Sequence, residues 1–250
     1  MPAAPVKAGP QHQHSGPKHA PHPGGAHHGP PKGPSLKVTP TFELTGEAAA
    51  QPKSLILISL DTVSAERLDV YGGRAKMPAL SKLAASGVVF EQAISQFPET
   101  ALSHWSMMSG VFPAVHGNVP GNGGSRYKGP TLAEVAKKFG YGTGAFIGGV
   151  TMTDQASGFS RGFDVYDDQF TFNHTDMSRS GSIVTKRAQS WIAQQQGPYF
   201  AFVHYFDAHF PYTPKNPKMY DPDYQGSLDG SDAKLRPYRD GEKQPSARDV

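Results

Sequence analysis

SLILISLD, residues 54–61, is a continuous apolar run that stops on an aspartate. A short run of this kind is typical of a strand buried on both faces, as the strands of a parallel sheet are. Two further strands of this character are predicted at YGTGAFIGG, residues 141–149, and at PYFAFVHY, residues 198–205. A fourth strand, VVFEQAIS, is predicted at residues 88–95.

Three helices are predicted between these strands, at residues 77–87, 131–140 and 180–197. The second has a capping box, because Thr131 is followed three residues later by Glu134. The other two have an apolar face, made by Leu80, Leu83 and Ala84 in the first and by Ile183, Ala188, Trp191 and Ile192 in the third. Strands that alternate with helices predict an α/β fold with a doubly wound, mostly parallel sheet.

Composition divides the chain into two parts. Residues 1–34 contain nine prolines, six glycines and six histidines, with three lysines and no acidic residue. Such a segment buries too little apolar surface to offset its ordering entropy, so residues 1–53 are predicted to be a disordered tail and linker. The tail carries the whole formal charge of +3, which leaves the rest of the chain balanced. No nucleic-acid partner is therefore expected for the folded part, residues 54–250.

Several classes of protein are excluded by what the sequence lacks. It contains no cysteine, which rules out disulfides and thiolate metal sites. No apolar run is long enough for a membrane helix, and the N-terminus has no apolar core of a secretion signal. From Asp221 to Val250 few residues are apolar and no period is visible, which predicts a long loop or a domain that continues past Val250.

Three polar features fall where an α/β sheet gathers its chemistry, at the carboxyl ends of strands. Asp61 ends the first strand and could bind a cation, or simply serve a turn. Thr100 precedes an apolar helix, where a hydroxyl either caps the helix or meets an anion. The third feature, HYFDAH at residues 204–209, contains His204 and His209, which could bind a metal or a substrate oxygen.

Taken together and in order, these features resemble the N-terminal half of the sulfatases, in the alkaline-phosphatase superfamily. The resemblance rests on LDT, RLDVYGG, MPALSKLAASGVVFEQAIS and FPETALSHWSMMSGVFPAVHG, and on the late histidine elbow before Pro211 and Tyr212. It extends from about Ser54 to Pro214. The fold that it implies is a three-layer sandwich with a mostly parallel sheet, here incomplete at its C-terminal side.

The chain departs from the sulfatase pattern in ways that bear on chemistry. Sulfatases have Cys-or-Ser-x-Pro-x-Arg and oxidise the Cys or Ser to formylglycine, whereas this chain has Thr100, Leu102 and His104 at those positions. Oxidation of a threonine gives a ketone, so no formylglycine is expected. Thr62 replaces a second aspartate that sulfatases often carry. The Asp-His or Asp-Asn pair that completes the family's metal site is not found before Val250.

The resemblance therefore implies a threonine-nucleophile relative, such as phosphodiesterases and phosphoethanolamine transferases. Asp61 and Thr100 would share a divalent ion, with Zn²⁺ or Mn²⁺ favoured over Ca²⁺ or Mg²⁺, and Thr100 would attack a phosphate or sulfate ester. His104 and His209 are candidates for contact with substrate oxygens; His204, also grouped with the substrate site, is favoured as structural.

The substrate expected from this resemblance is a small-molecule, lipid or glycan ester. A sulfuric ester hydrolase without formylglycine, or a non-catalytic binding module, remain alternatives. Relatives are often exported, which is compatible with an extracytoplasmic location, but the compartment and the oligomeric state stay open.

Overall fold

The computed structural model describes residues 53–117, 127–170, 177–212, 223–226 and 228–245. All of these belong to the unit Ala49–Val250. The predicted disordered tail lies outside the described residues except for Lys53, so it stays a prediction. Within the described part of the chain, no helix is long and apolar enough to cross a membrane.

Four strands form one parallel sheet. They are β1 (Leu55–Leu60), β2 (Gly142–Ile147), β3 (Val165–Asp167) and β4 (Tyr199–Tyr205). Their order across the sheet is β1-β4-β2-β3, and every pairing is parallel. Because the strands are parallel, their carboxyl ends lie at one edge, where Ser59 is paired with His204.

Seven α-helices are described. They are α1 (Pro78–Ser86), α2 (Thr100–Ser109), α3 (Pro113–His116), α4 (Leu132–Lys138), α5 (Asp154–Ser157), α6 (Gly181–Ile192) and α7 (Asp232–Arg239). Short 3-10 helices occupy Ala65–Arg67, Asp69–Tyr71 and Val150–Met152. The predicted capping box is present at α4, where Thr131 and Glu134 each accept the other's backbone N–H.

The core lies on both faces of the sheet, which gives the three layers that the sequence predicts. One cluster packs α2 and α4 against the sheet through Trp105, Met108, Ala133, Ala145, Ile147, Met152, Phe159, Phe200 and Phe202. The other packs α6 against the opposite face through Phe146, Val184, Ala188 and Val203. Neighbouring residues of β2 and β4 point into different clusters, as the alternation of side chains along a strand requires.

Two local predictions were wrong. β1 is not buried on both faces: Leu55, Ile56 and Ile58 are 46%, 46% and 55% exposed, because the described residues provide no layer over these side chains. Residues 88–95 form no strand. The helix predicted at residues 77–87 is present as α1, although none of its residues is buried by the described part of the chain. The C-terminal segment, predicted as a long loop or a domain that continues, contains the helix α7.

One of the four positions predicted on the apolar face of α6 was also wrong, although Ala188 and Trp191 pack as predicted. Ile183 is 45% exposed, and Val184 is buried in its place together with Ala188. The helical period is correct, but a sequence pattern cannot fix the rotation of a helix to within one residue when neighbouring positions are both apolar.

Candidate active site

Asp61 lies at the carboxyl end of β1 and is buried. Its backbone N–H donates to the Tyr205 carbonyl at 3.0 Å, which extends the ladder between β1 and β4 by one residue. Thr62 follows with a φ of 59°, in the left-handed region that a β-branched residue rarely adopts. Its hydroxyl donates to the Ala208 carbonyl at 3.0 Å. The turn after β1 is therefore tied to the loop after β4.

Thr100 is the first residue of α2, and the residue in the N-cap position is Glu99. No side chain caps this helix. The Thr100 hydroxyl instead donates to Asp61 Oδ1 at a separation of 3.4 Å. The alternative in which Thr100 is only a helix cap therefore does not describe this hydroxyl, because its partner is a carboxylate at the end of a strand.

His204 lies on β4 beneath Asp61 and is fully buried. Its Nε2–H donates to Asp61 Oδ2 at 3.0 Å, while Nδ1 has no hydrogen-bond partner among the described residues. Burial alone would raise the pKa of Asp61, but the hydrogen bond and charge of His204 outweigh it, and smaller effects of His104 and Thr100 add to them. The net result is a lowered pKa, so Asp61 is a carboxylate.

His104 is buried one turn into α2, with both ring nitrogens partnered by protein. Its Nδ1–H donates to the Thr100 carbonyl at 2.7 Å, and the Ser59 hydroxyl lies 2.8 Å from Nε2. Burial, and then the charge of His204, lower the pKa of His104 to about 4, against the opposing effects of the Thr100 carbonyl and Asp61. The ring is therefore neutral at physiological pH.

His209 lies in the loop after β4 and is half-buried. Its Nδ1–H donates to the Phe210 carbonyl at 2.7 Å, and its ring stacks on Phe206 at 4.1 Å between centroids. Among the described residues it has no hydrogen bond to Asp61 or Thr100. Asp207, in the same loop, accepts from the Gly181 N–H at the start of α6 at 2.9 Å. The loop is thus attached to the start of α6.

The structure brings four of the five predicted site residues into one hydrogen-bonded network, namely Asp61, Thr100, His104 and His204. The fifth, His209, is linked to it only through the stacked ring of Phe206, which contacts His204 at 5.9 Å. Asn173 and His174, which the sequence left as possible substrate contacts, lie outside the described residues.

Sequence reasoning missed Ser59 entirely. It did assign a structural role to His116, which is buried and lies 3.1 Å from the Ser106 hydroxyl, joining α3 to α2. Burial lowers the pKa of this histidine, partly offset by a hydrogen bond with the Leu102 backbone.

Metal ligands are sparse in the described part of the chain. Across the described ranges, no group of three or more His, Asp or Glu side chains could hold an ion. A cavity of about 470 Å³ is present beside α5, lined by Thr153, Asp154, Gln155, Ser160, Tyr166, Asp168, Gln169 and Phe170. None of the candidate site residues lines it.

One comparison decides the family. A sequence profile of the family named Sulfatase matches residues 53–241 of the 250. The chain belongs to the sulfatase family. This confirms the resemblance inferred from the motifs, and the match includes every candidate residue named above. A search of curated proteins found no sequence match to this sulfatase-family chain.

Solved structures share the sulfatase-like fold at low identity. The C-terminal periplasmic domain of EptC from Escherichia coli, in complex with Zn, is 19% identical with a TM-score of 0.55, over 72% of this chain and 51% of that one. The phosphonate monoester hydrolase of Agrobacterium radiobacter is 18% identical with a TM-score of 0.57, over 70% and 45%. A protein in complex with its substrate D-glucosamine-2-N,6-O-disulfate is 15% identical with a TM-score of 0.57, over 66% and 36%.

These likenesses confirm the alkaline-phosphatase and sulfatase-like fold. The chain spans about half or less of the length of these structures.

Proposed function

We propose that this chain carries part of the active site of a metal-dependent hydrolase or transferase that acts on phosphate or sulfate esters through Thr100. The observation that carries the proposal is the pairing of the Thr100 hydroxyl with Asp61 Oδ1 at 3.4 Å, at the carboxyl edge of the sheet. A hydroxyl used only to cap α2 would accept from a backbone N–H of its own helix. This one points away from the helix toward a carboxylate.

The same pair suits a shared divalent ion. Two oxygens bound to one tetrahedral Zn²⁺ at about 2.1 Å each lie about 3.4 Å apart. Asp61 Oδ1 and Thr100 Oγ1 have this separation, and Oδ2 is held by a histidine, as the carboxylates of metal sites commonly are. They would supply two ligands, and the remaining ones would come from outside the described residues. Zn²⁺ or Mn²⁺ fits a threonine alkoxide better than Ca²⁺ or Mg²⁺ does.

The residues of this chain would prepare the nucleophile. Asp61, ionised and held by His204, orients the Thr100 hydroxyl but is a weak base because its pKa is lowered. A bound divalent ion supplies the acidity that the hydroxyl lacks. Thr100 Oγ1 then bonds to the phosphorus or sulfur as the bond to the leaving alcohol breaks. Water or an acceptor alcohol releases the threonine ester in a second step.

The histidines have separate parts in this proposal. Each hydrogen-bonded ring nitrogen of His104 and His204 has a partner in the protein, so these two side chains position Thr100 and Asp61. His209 keeps Nε2 available once Nδ1–H has donated to Phe210, which makes it the candidate for contact with a substrate oxygen. The substrates in the neighbouring structures include a sulfated sugar, so a small-molecule, lipid or glycan ester is the class proposed here.

The test is turnover of sulfate and phosphate esters side by side, with and without added Zn²⁺ or Mn²⁺. We expect turnover to depend on the added metal. Thr100→Ala should abolish turnover and leave the thermal unfolding temperature unchanged, and Thr100→Ser should retain part of the turnover. Ser103→Ala, one residue before His104 and bonded only to Ser95 among the described side chains, is the matched control with unchanged turnover.

One result would narrow the proposal and another would replace it. Preference for sulfate esters would narrow it to a sulfuric ester hydrolase that works without formylglycine. Binding of an ester with no turnover under any metal condition would favour a non-catalytic member, an alternative that the absence of a three-ligand group among the described residues also motivates.

A further inference from the structure

Ser59 is the polar residue of the otherwise apolar strand β1. It lies two residues before Asp61, and alternate residues of a strand project from the same face. Both side chains contact α2: Asp61 Oδ1 accepts from Thr100, and the Ser59 hydroxyl meets His104 Nε2. The first turn of α2 is thus attached to one strand at two points.

The two attachments match in spacing. Residues four apart on a helix are separated by about 6 Å along its axis. Residues two apart on a strand are separated by about 6.6 Å. Thr100 therefore lies opposite Asp61 while His104 lies opposite Ser59, with α2 and β1 running in opposite directions. A shift of α2 along β1 would break both hydrogen bonds at once.

The direction of the hydrogen bonds follows from the acceptors. The Thr100 carbonyl can only accept, so His104 Nδ1 carries the proton. Nε2 of the neutral ring then presents a lone pair, and the Ser59 hydroxyl must be the donor. We propose that Ser59 is a positioning residue, which donates to Nε2 of His104, fixes the ring whose Nδ1–H holds the Thr100 carbonyl, and thereby holds the Thr100 hydroxyl against Asp61.

This inference rests on the proposed function, because a positioning residue needs a reaction to position. Without the Ser59 hydroxyl, Nε2 is left buried with no donor, and the ring is held only by its Nδ1–H bond to the Thr100 carbonyl. The start of α2 then loses one of its two attachments, and Oγ1 is no longer held in one direction.

Kinetics of the full-length protein test the inference. Ser59→Ala should lower kcat about tenfold with KM nearly unchanged, since a small misplacement of a nucleophile slows the reaction more than it weakens binding. Ser59→Thr keeps a hydroxyl and a strand-forming side chain and should restore kcat. Ser103→Ala, on the same turn of α2, is the matched control with kcat unchanged.

A double-mutant cycle separates positioning from general loosening of the fold. The Asn amide in His104→Asn can still donate to the Thr100 carbonyl but cannot reach Ser59. Adding Ser59→Ala to it should therefore cost less than about twofold more, because Ser59 acts only through the histidine. Full additivity of the two substitutions would overturn the inference, as would an unchanged kcat in Ser59→Ala alone.

Nitrogen-15 spectra of the labelled histidine rings give a readout that needs no turnover. We expect the Nδ1–H tautomer of His104 in the parent and in both Ser59 variants, with the Nε2 resonance shifted to that of an unbonded nitrogen in Ser59→Ala alone; His104→Asn assigns the signals. An Nε2 resonance that is the same in the parent and in Ser59→Ala would overturn the inference. If no ester is turned over by the parent, the proposed function fails, and the spectra alone decide whether Ser59 sets the ring.

Discussion

The free energy of unfolding of this protein depends on pH through the buried ring of His104. In the folded chain its pKa is lowered from 6.5 to about 4, first by burial and then by the charge of His204. Between these two values the unfolded chain binds a proton at this ring that the folded chain does not. The stability contributed by the neutral ring is therefore complete above pH 6.5 and is lost as the pH falls toward 4.

We expect the His104 ring to lower the free energy of unfolding by about 3 kcal/mol between about pH 7 and about pH 4, since each pKa unit corresponds to about 1.4 kcal/mol. Urea denaturation at a series of pH values measures it. His104→Gln, which cannot titrate, should have a shallower slope across this window. Parallel slopes for the parent and the variant would contradict the assignment.

Asp61 and Thr100 were predicted as a pair from the sulfatase-like order of the motifs, because a strand-end aspartate alone also suits a turn and a helix-start threonine alone also suits a cap. Ser59 could not be predicted, because one serine in an apolar strand has no pattern of its own. Its spacing of two residues from Asp61 was the available clue. Likewise, the sequence predicted that His104 lies near Thr100 but not how deeply its ring is buried. That burial depends on the packing of Phe159 and Phe202 around the ring.

Three helix starts in this protein differ in what their hydroxyl side chain contacts, and the sequence alone does not separate them. Thr131 caps α4 with its side chain, accepting from the Glu134 N–H at 3.2 Å, and the box was predictable because both partners are local in sequence. Ser180 also occupies an N-cap position, before α6, yet its hydroxyl meets Ser182 and makes no cap bond. The helix start at Thr100 differs from both because its hydroxyl serves a partner on β1.

These two caps make a matched pair for stability measurements. Thr131→Ala should lower the free energy of unfolding by about 1 kcal/mol or more, because the N-cap bond is lost at a buried position. Ser180→Ala should change it by less than about 0.5 kcal/mol. Thermal or urea denaturation of both variants measures the difference, and an equal loss in both would show that the cap bond of Thr131 is not what stabilises α4.

At the scale of the molecule, several large apolar side chains of β1, of α1 and of the segment after α1 are exposed among the described residues. They are Leu55, Ile56, Ile58, Leu83, Val88, Phe90 and Ile94. The strands β2 and β4 were predicted correctly because helices cover both of their faces. The predictions for β1 and residues 88–95 were wrong where the described residues provide no covering layer, because a hydrophobic sequence pattern does not show whether the layer that would cover it is present.

This surface should make the chain self-associate. Exposed apolar patches and open strand edges favour association, so sedimentation at increasing protein concentration should report species larger than the monomer. Phe90→Asp should reduce that association with little loss of stability, because Phe90 is 70% exposed. Concentration-independent sedimentation of the parent as a monomer would refute this expectation, and Lys82→Asp on the neighbouring helix is a control for the added charge.

The two oxygens of Asp61 face different layers, one toward a helix and the other toward the neighbouring strand. The two hydrogen bonds thus fix the rotamer of Asp61 in the folded chain, and under the proposed function a cation that binds at Oδ1 would find the carboxylate already oriented. Capture would then need little reorganisation, so an arriving ion should bind quickly and leave the surrounding architecture as it was.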